Sequence, residues 1–289
     1  MKKKLAVMGL VSIMTMSMVA CGKDEKTSSN ETTSVITTDG YSEDLSTEED
    51  TTEKKADNVD ELTDEYLLSL PETPAEEFWY EEIEGGILIK SCLGRSGSDK
   101  IIVIPNQIDG KDVIEIDREA FVRANLKAVV LNKNLKVVGG GSFLDATIEK
   151  VLLQEGVETI GGEAFFLSDI NEINIPSTVK RIWTNAFGST DITEVTIPKS
   201  VEEITVAAFS GCDKLETITF EGCPNVEFGT FTLCSNIKKV ICLDGNRGFH
   251  KDEFFEIGGE PKPITFVAPA GSEVEKYAKE NGFKFEVLN

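Results

Sequence analysis

The run Ile170-Asn171-Glu172-Ile173-Asn174-Ile175-Pro176-Ser177-Thr178-Val179-Lys180-Arg181-Ile182-Trp183-Thr184-Asn185-Ala186-Phe187 decides how the rest of the chain is read. Apolar and polar residues alternate through Ile173-Asn174-Ile175, the period-2 pattern of a short strand, and Pro176 ends it because proline has no N–H for a ladder. A second short extended segment is expected over residues 179–182, with Ala186-Phe187 plugging the turn beneath it.

The same run recurs along the chain. Phe121, Phe143, Phe165, Phe187, Phe209 and Phe231 are spaced by 22 residues without slippage. Five residues before each ring stands a β-branched aliphatic: Ile116, Val138, Ile160, Ile182, Ile204 and Val226. Three residues earlier still runs Val113, Leu135, Val157, Val179, Val201 and Cys223. A third row, Leu126, Ile148, Ile170, Ile192, Leu215 and Ile237, slips by one residue at Leu215. A fixed period of this length means a solenoid, in which one unit cannot bury its apolar side alone and stacked units share a continuous core. The expected fold is a β-rich repeat solenoid of about six 22-residue turns, with an N-terminal strand and a C-terminal strand-helix cap.

These residues carry a resemblance. Gly86-Ile87-Leu88-Ile89, Ile102-Val103-Ile104-Pro105, Ile108-Asp109-Gly110-Lys111-Asp112-Val113 and Ala120-Phe121 look like the opening of the bacterial surface leucine-rich repeats called BspA-like. The later turns, with Ile175-Pro176 and Ile197-Pro198 at the same place, are similar to that family's repeat. Val267-Ala268-Pro269-Ala270-Gly271-Ser272, followed by a helical stretch through Tyr277, resembles its closing cap. The resemblance covers residues 78–289. It implies a leucine-rich repeat array, and adhesion or contact with a host or partner cell as known for some members. Two departures stand out: Gly139-Gly140-Gly141, read as loosening the second turn, and residues 243–263, which replace the regular second half of the seventh.

The N-terminus has a different character. Lys2-Lys3-Lys4 followed by an apolar run over residues 5–20 reads as a secretory signal, residues 1–20, too short to span a bilayer comfortably. Met18-Val19-Ala20-Cys21-Gly22 resembles a bacterial lipobox, which implies a diacylglyceryl group on Cys21 and a membrane anchor. The expected location is the bacterial cell envelope, extracytoplasmic. After Cys21, residues 22–77 contain 18 acidic and 4 basic side chains with few large apolar ones. Such a segment cannot bury enough surface to offset its ordering, so residues 21–77 read as a lipidated cysteine and a disordered acidic tether. Its root-mean-square span as a flexible coil is about 40 Å. Within it, residues 60–70 can form a short helix with Leu62, Tyr66, Leu67 and Leu70 on one side.

Composition excludes some functions. The chain carries −22 at neutral pH and has no basic stripe, so nucleic acid is not an expected partner. Asp169, Asp191 and Asp213 share one place in three consecutive turns, where Asn125, Thr147 and Ser235 fill the others, which favours turn capping over a metal row. Cys212, Cys223, Cys234 and Cys242 all read as inward; buried thiols explain them, while a Cys212–Cys234 disulfide is open to a secreted chain. No cofactor and no metal is expected. His250 is the sole histidine, on an irregular loop, and no triad surrounds it, so the chain reads as a non-enzyme with no catalytic residues.

The candidate binding face is the outward row of the strands: Val130, Leu152, Asn174, Thr196, Thr219 and Ile241, flanked by Ala128, Lys150, Glu172, Glu194, Thr217 and Lys239. Its apolar end, Val130 with Leu152, is either a contact patch or is covered by residues 60–70. Trp183 is a second candidate, because Gly139, Gly161, Thr205 and Glu227 stand at its place in neighbouring turns; it either grips a partner or lies over the adjacent turn. The function expected is a membrane-anchored module for binding or adhesion to a protein or glycan. The alternative is a structural envelope spacer without a diffusible ligand.

Overall fold

The 22-residue period becomes short parallel strands on two walls of the array, with one wall interrupted at residues 173–175. The computed structural model describes residues 62–288 apart from 95, 247, 248, 250–253 and 255–262. In chain order come α1 (Asp64–Ser69), a 3₁₀ turn (Ala75–Glu77), β1 (Phe78–Ile83), β2 (Gly86–Cys92), β3 (Ser96–Val103), β4 (Gln107–Ile108) and β5 (Lys111–Ile116). The repeats follow as β6 (Asn125–Val130), β7 (Val137–Val138), β8 (Thr147–Leu152), β9 (Thr159–Ile160), β10 (Arg181–Ile182), β11 (Glu194–Ile197) and β12 (Glu203–Ile204). The array continues through β13 (Thr217–Phe220), β14 (Asn225–Val226), β15 (Lys239–Cys242), β16 (Thr265–Ala268), α2 (Glu273–Glu280) and β17 (Lys284–Val287).

One wall is the sheet β1-β2-β5-β7-β9-β10-β12-β14, opened by the antiparallel β1–β2 hairpin and parallel from β2 onward. Its register joins Ile116 to Val138, Ile160, Ile182, Ile204 and Val226 in turn, which is the β-branched row of the sequence. The other wall is two sheets, β3-β6-β8 and β11-β13-β15-β16-β17. The repeat solenoid is therefore as expected, with about eight turns rather than six. The strand-helix cap is present: Ser272 accepts the Glu275 N–H as N-cap of α2, and β17 then adds one more parallel strand, which the sequence reading had not included.

Six phenylalanines fill the centre. Rings from Phe121 to Phe231 stack turn upon turn with centroids 5.0, 5.2, 5.3, 5.1 and 5.5 Å apart and planes within 14° of parallel. A seventh, Phe254, continues the column at 5.9 Å from Phe231, from within the segment that had looked irregular. Each turn passes two residues through left-handed backbone, for example Glu163 and Leu167, then Asn185 and Ser189, then Ala207 and Gly211. These conformations return the chain around the ring stack.

Residues 173–175 form no strand, although Ile173 and Ile175 do face inward. The Asp169 carboxylate takes the Ile148 N–H at 2.9 Å in place of a main-chain acceptor, and residues 172–175 then make no ladder bond to either neighbour. Cys223 is exposed rather than inward. The one-residue slip at Leu215 leaves four residues between Phe220 and Asn225 where five separate Ile197 from Glu203, and Pro224 takes the inward place instead. Gly139 does not loosen its turn: a Cβ there would lie 2.3 Å from the Ile116 carbonyl oxygen, so glycine permits a close approach of two turns. Finally, residues 62–77, read from composition as the end of the tether, are part of the folded unit.

Candidate functional site

The outward row divides into a sealed end and an open end. Val130 and Leu152 are 1% and 6% exposed, beneath α1. Leu67 of α1, fully buried, joins Ala128, Val130 and Leu152 in a small cluster separate from the main core, with Leu62, Tyr66, Leu70, Ile101 and Val103 against it. Of the two readings, the cover is the one observed, made by residues 62–70, and Val130 and Leu152 are withdrawn from the solvent face. Thr63 caps α1 by accepting the Tyr66 N–H, and the following segment is pinned by Thr73 N–H to the Val103 carbonyl at 2.9 Å, by Val103 N–H to Thr73 Oγ1 at 3.0 Å and by Asn106 N–H to Glu72 Oε1 at 3.1 Å.

Lys150 closes the edge of this cover. Its ammonium lies 2.8 Å from Asp64 of α1 and 2.9 Å from Glu172 on the next turn. Partial burial works to lower its pKa, but the hydrogen bonds and charges of the two carboxylates outweigh that and hold it above the ordinary lysine value.

Beyond Glu172 the face is open. Asn174 and Thr196 are exposed, Thr219 and Ile241 half-buried. Glu172, Ile173, Asn174, Glu194 and Thr196 line a shallow depression where the ladder is interrupted between β8 and β11. The flanking row runs Lys150, Glu172, Glu194, Thr217, Lys239, so charge is negative at the depression and positive at both ends.

Trp183, directly after β10, is 43% exposed. Val206 and Phe228, 44% and 58% exposed, occupy one place in the two turns that follow, so the apolar edge is broader than the lone tryptophan suggested. The signal was present in the sequence, since Val206 and Phe228 are also 22 apart, but no inward ladder drew attention to them.

The remaining candidates fall as follows. Cys21 and His250 lie outside the described residues. Cys212 and Cys234 are buried thiols whose Sγ–H groups each donate to the carbonyl of a core ring residue, Phe187 and Phe209, both at 3.1 Å. Hydrogen bonding with Cys234, against the opposing effect of burial, holds the Cys212 pKa below the usual thiol value. Asp169 caps β8 as described, Asp191 pairs with Lys214 at 2.8 Å and Asp213 accepts from Ser235. Among the described residues no three His, Cys, Asp or Glu side chains converge on a point that could hold a metal.

Parallel strands stacked at a 22-residue period, a phenylalanine column and a strand-helix cap define a leucine-rich repeat solenoid. Residues 114–238 match six copies of the BspA type leucine rich repeat region. Several solved structures are similar. A leucine-rich repeat protein of T. pallidum shares 22% identity over 75% of this chain and 98% of its own, with a TM-score of 0.43. A leucine-rich repeat protein of Bacteroides ovatus shares 20% over 69% of this chain, which spans 60% of that protein, with a TM-score of 0.49. A leucine rich cell surface protein of Faecalibacterium prausnitzii shares 16% over 71% of this chain and 74% of its own, with a TM-score of 0.27. No curated protein matches the sequence.

Proposed function

We propose that the protein is a lipid-anchored, extracytoplasmic binding module that holds a protein or glycan of the envelope, or of another cell, on the open half of its outward strand row. The observation that carries this reading is the change in burial along one row. Val130 and Leu152 are sealed by α1, whereas Asn174 and Thr196 are open beside the depression between β8 and β11. A face whose apolar end is already satisfied within the chain offers its polar, hydrogen-bonding half to a partner. The lipobox-like sequence at Cys21 supplies the anchor in this reading, and the acidic segment after it supplies reach.

The test is capture of envelope and extracellular components by the full chain and by two variants. Asn174→Lys with Thr196→Lys places charge at the centre of the face without touching the core and is expected to abolish capture; Trp183→Ala reports on the other edge. Loss with Trp183→Ala alone moves the site to that edge, and full capture by both folded variants rejects the face in favour of a structural spacer. Detergent-phase partitioning of Cys21→Ala tests the anchor, since entry into the detergent phase equal to that of the parent would rule it out.

A further inference from the structure

Strand β17 ends its sheet: among the described residues it pairs with β16 alone. Lys284 N–H donates to the Ile264 carbonyl and Leu288 N–H to the Ala268 carbonyl, so the even-numbered residues turn their backbone groups toward β16. By the alternation of an extended chain, Phe285 and Val287 turn theirs toward the open edge. The side chains of Lys284 and Glu286 project from the outward face, both are exposed, and among the described residues neither makes an ion pair. Val287 is 51% exposed.

An open edge of this kind is a template for another strand. Its charge order suits one partner. In a two-fold antiparallel pairing centred on Phe285, each copy's Phe285 exchanges both backbone hydrogen bonds with its counterpart. Lys284 of each copy then faces Glu286 of the other, in flanking pairs whose Cα atoms stand about 4.5 Å apart. The neighbouring register, centred on Glu286, would set two carboxylates against each other at the axis, and opposed like charges disfavour it.

We infer that β17 is a self-association edge, through which two copies of this chain join their C-terminal strands antiparallel about Phe285 and continue one sheet into the other. The pairing leaves the outward face of both arrays, from Asn174 to Thr219, uncovered, so a dimer presents two copies of it.

Sedimentation of the full chain in a density-matched detergent tests the pairing. The parent chain is expected to pass from monomer to dimer as its concentration rises. Lys284→Glu and Glu286→Lys, each of which converts both attractive pairs into repulsive ones, are expected to weaken the dimer by about tenfold. The double variant, with the charges exchanged, is expected to restore parental affinity. A parent that stays monomeric up to about 100 μM overturns the inference. So does a dimer indifferent to Lys284→Glu, since that residue faces no charge in the register centred on Glu286, or one that the exchange fails to restore. All three variants change exposed side chains, and matching circular dichroism spectra establish that folding is not the cause.

Discussion

Leu67 of α1 and Val130 of β6 bury one another, at 0% and 1% exposure, in a cluster that the main core does not reach. A six-residue helix is too short to be stable alone in water, so its order comes from this contact and from its caps. Leu67→Ala is therefore expected to remove most of what holds residues 62–70 down. A buried Leu→Ala change costs about 2 to 5 kcal/mol. Here the loss should appear as local release, with protease cleavage within residues 62–77 and new dye binding at Val130 and Leu152, while the unfolding midpoint of the array moves little. A variant as resistant to protease as the parent would show that α1 is held by its polar contacts instead.

Lys150 makes the same cover sensitive to pH. Because its folded pKa is raised, its contribution is fully present below the ordinary lysine value of 10.5 and is lost as pH rises through the higher folded value. The cover should stay closed through neutral pH and loosen only above about pH 10.5. A fluorophore at Leu68, which is 54% exposed, would report that release as a fall in anisotropy. Lys150→Met should remove the alkaline step and leave α1 more mobile at neutral pH. An alkaline step of the same size in Lys150→Met would assign it to another group.

Phe165 and Phe187 stack with centroids 5.3 Å apart and planes 5° from parallel, and both are fully sealed. Each has complete turns on either side, so the space left by a truncated ring cannot be filled by collapse of a free end. Phe187→Ala is expected to destabilise the array by about 3 to 5 kcal/mol. Thermal unfolding beside the exposed control Lys180→Ala checks it, and equal shifts would mean the column is not the spine of the core.

Much of this architecture was legible because burial in a solenoid repeats at fixed spacing. The rows through Ile182 and Phe187 keep one class of residue per place, and the helix Asp64–Ser69 is visible as an apolar stripe. Other features left no such mark. Glu119, Arg123, Asp145, Glu163, Leu167, Asn185, Ser189, Ala207 and Leu233 all adopt left-handed backbone, yet they share no side-chain chemistry. Cys223 was misplaced because a one-residue slip, read correctly at Leu215, shifts the inward phase of the following loop. The missing strand at residues 173–175 left no mark either, since alternation through Ile173-Asn174-Ile175 is the pattern of a strand, while the Asp169 side chain takes the Ile148 N–H at the start of that turn. The open row at Asn174 and Thr196 was readable from alternation alone, but the sealing of Val130 and Leu152 required knowing where α1 docks.

The left-handed residues give a last test, at Leu233. Its φ is 62°, and its side chain is 62% exposed, so the strain of a Cβ in this region is set against little packing. Left-handed backbone costs an L-residue about 1 to 2 kcal/mol, while glycine gives back roughly 0.5 to 1 through the freedom it gains in the unfolded chain. Leu233→Gly should therefore stabilise the array by about 0.5 to 1 kcal/mol, a rare direction for losing a large side chain. The preceding turn already carries glycine there: Gly211 has φ 75°, and an added Cβ would meet Ser189 Oγ at 2.9 Å. Gly211→Ala should then move stability the opposite way. Denaturant midpoints of both variants against the parent decide the matter, and a Leu233→Gly chain less stable than the parent would mean that the exposed leucine contributes packing worth more than its backbone strain.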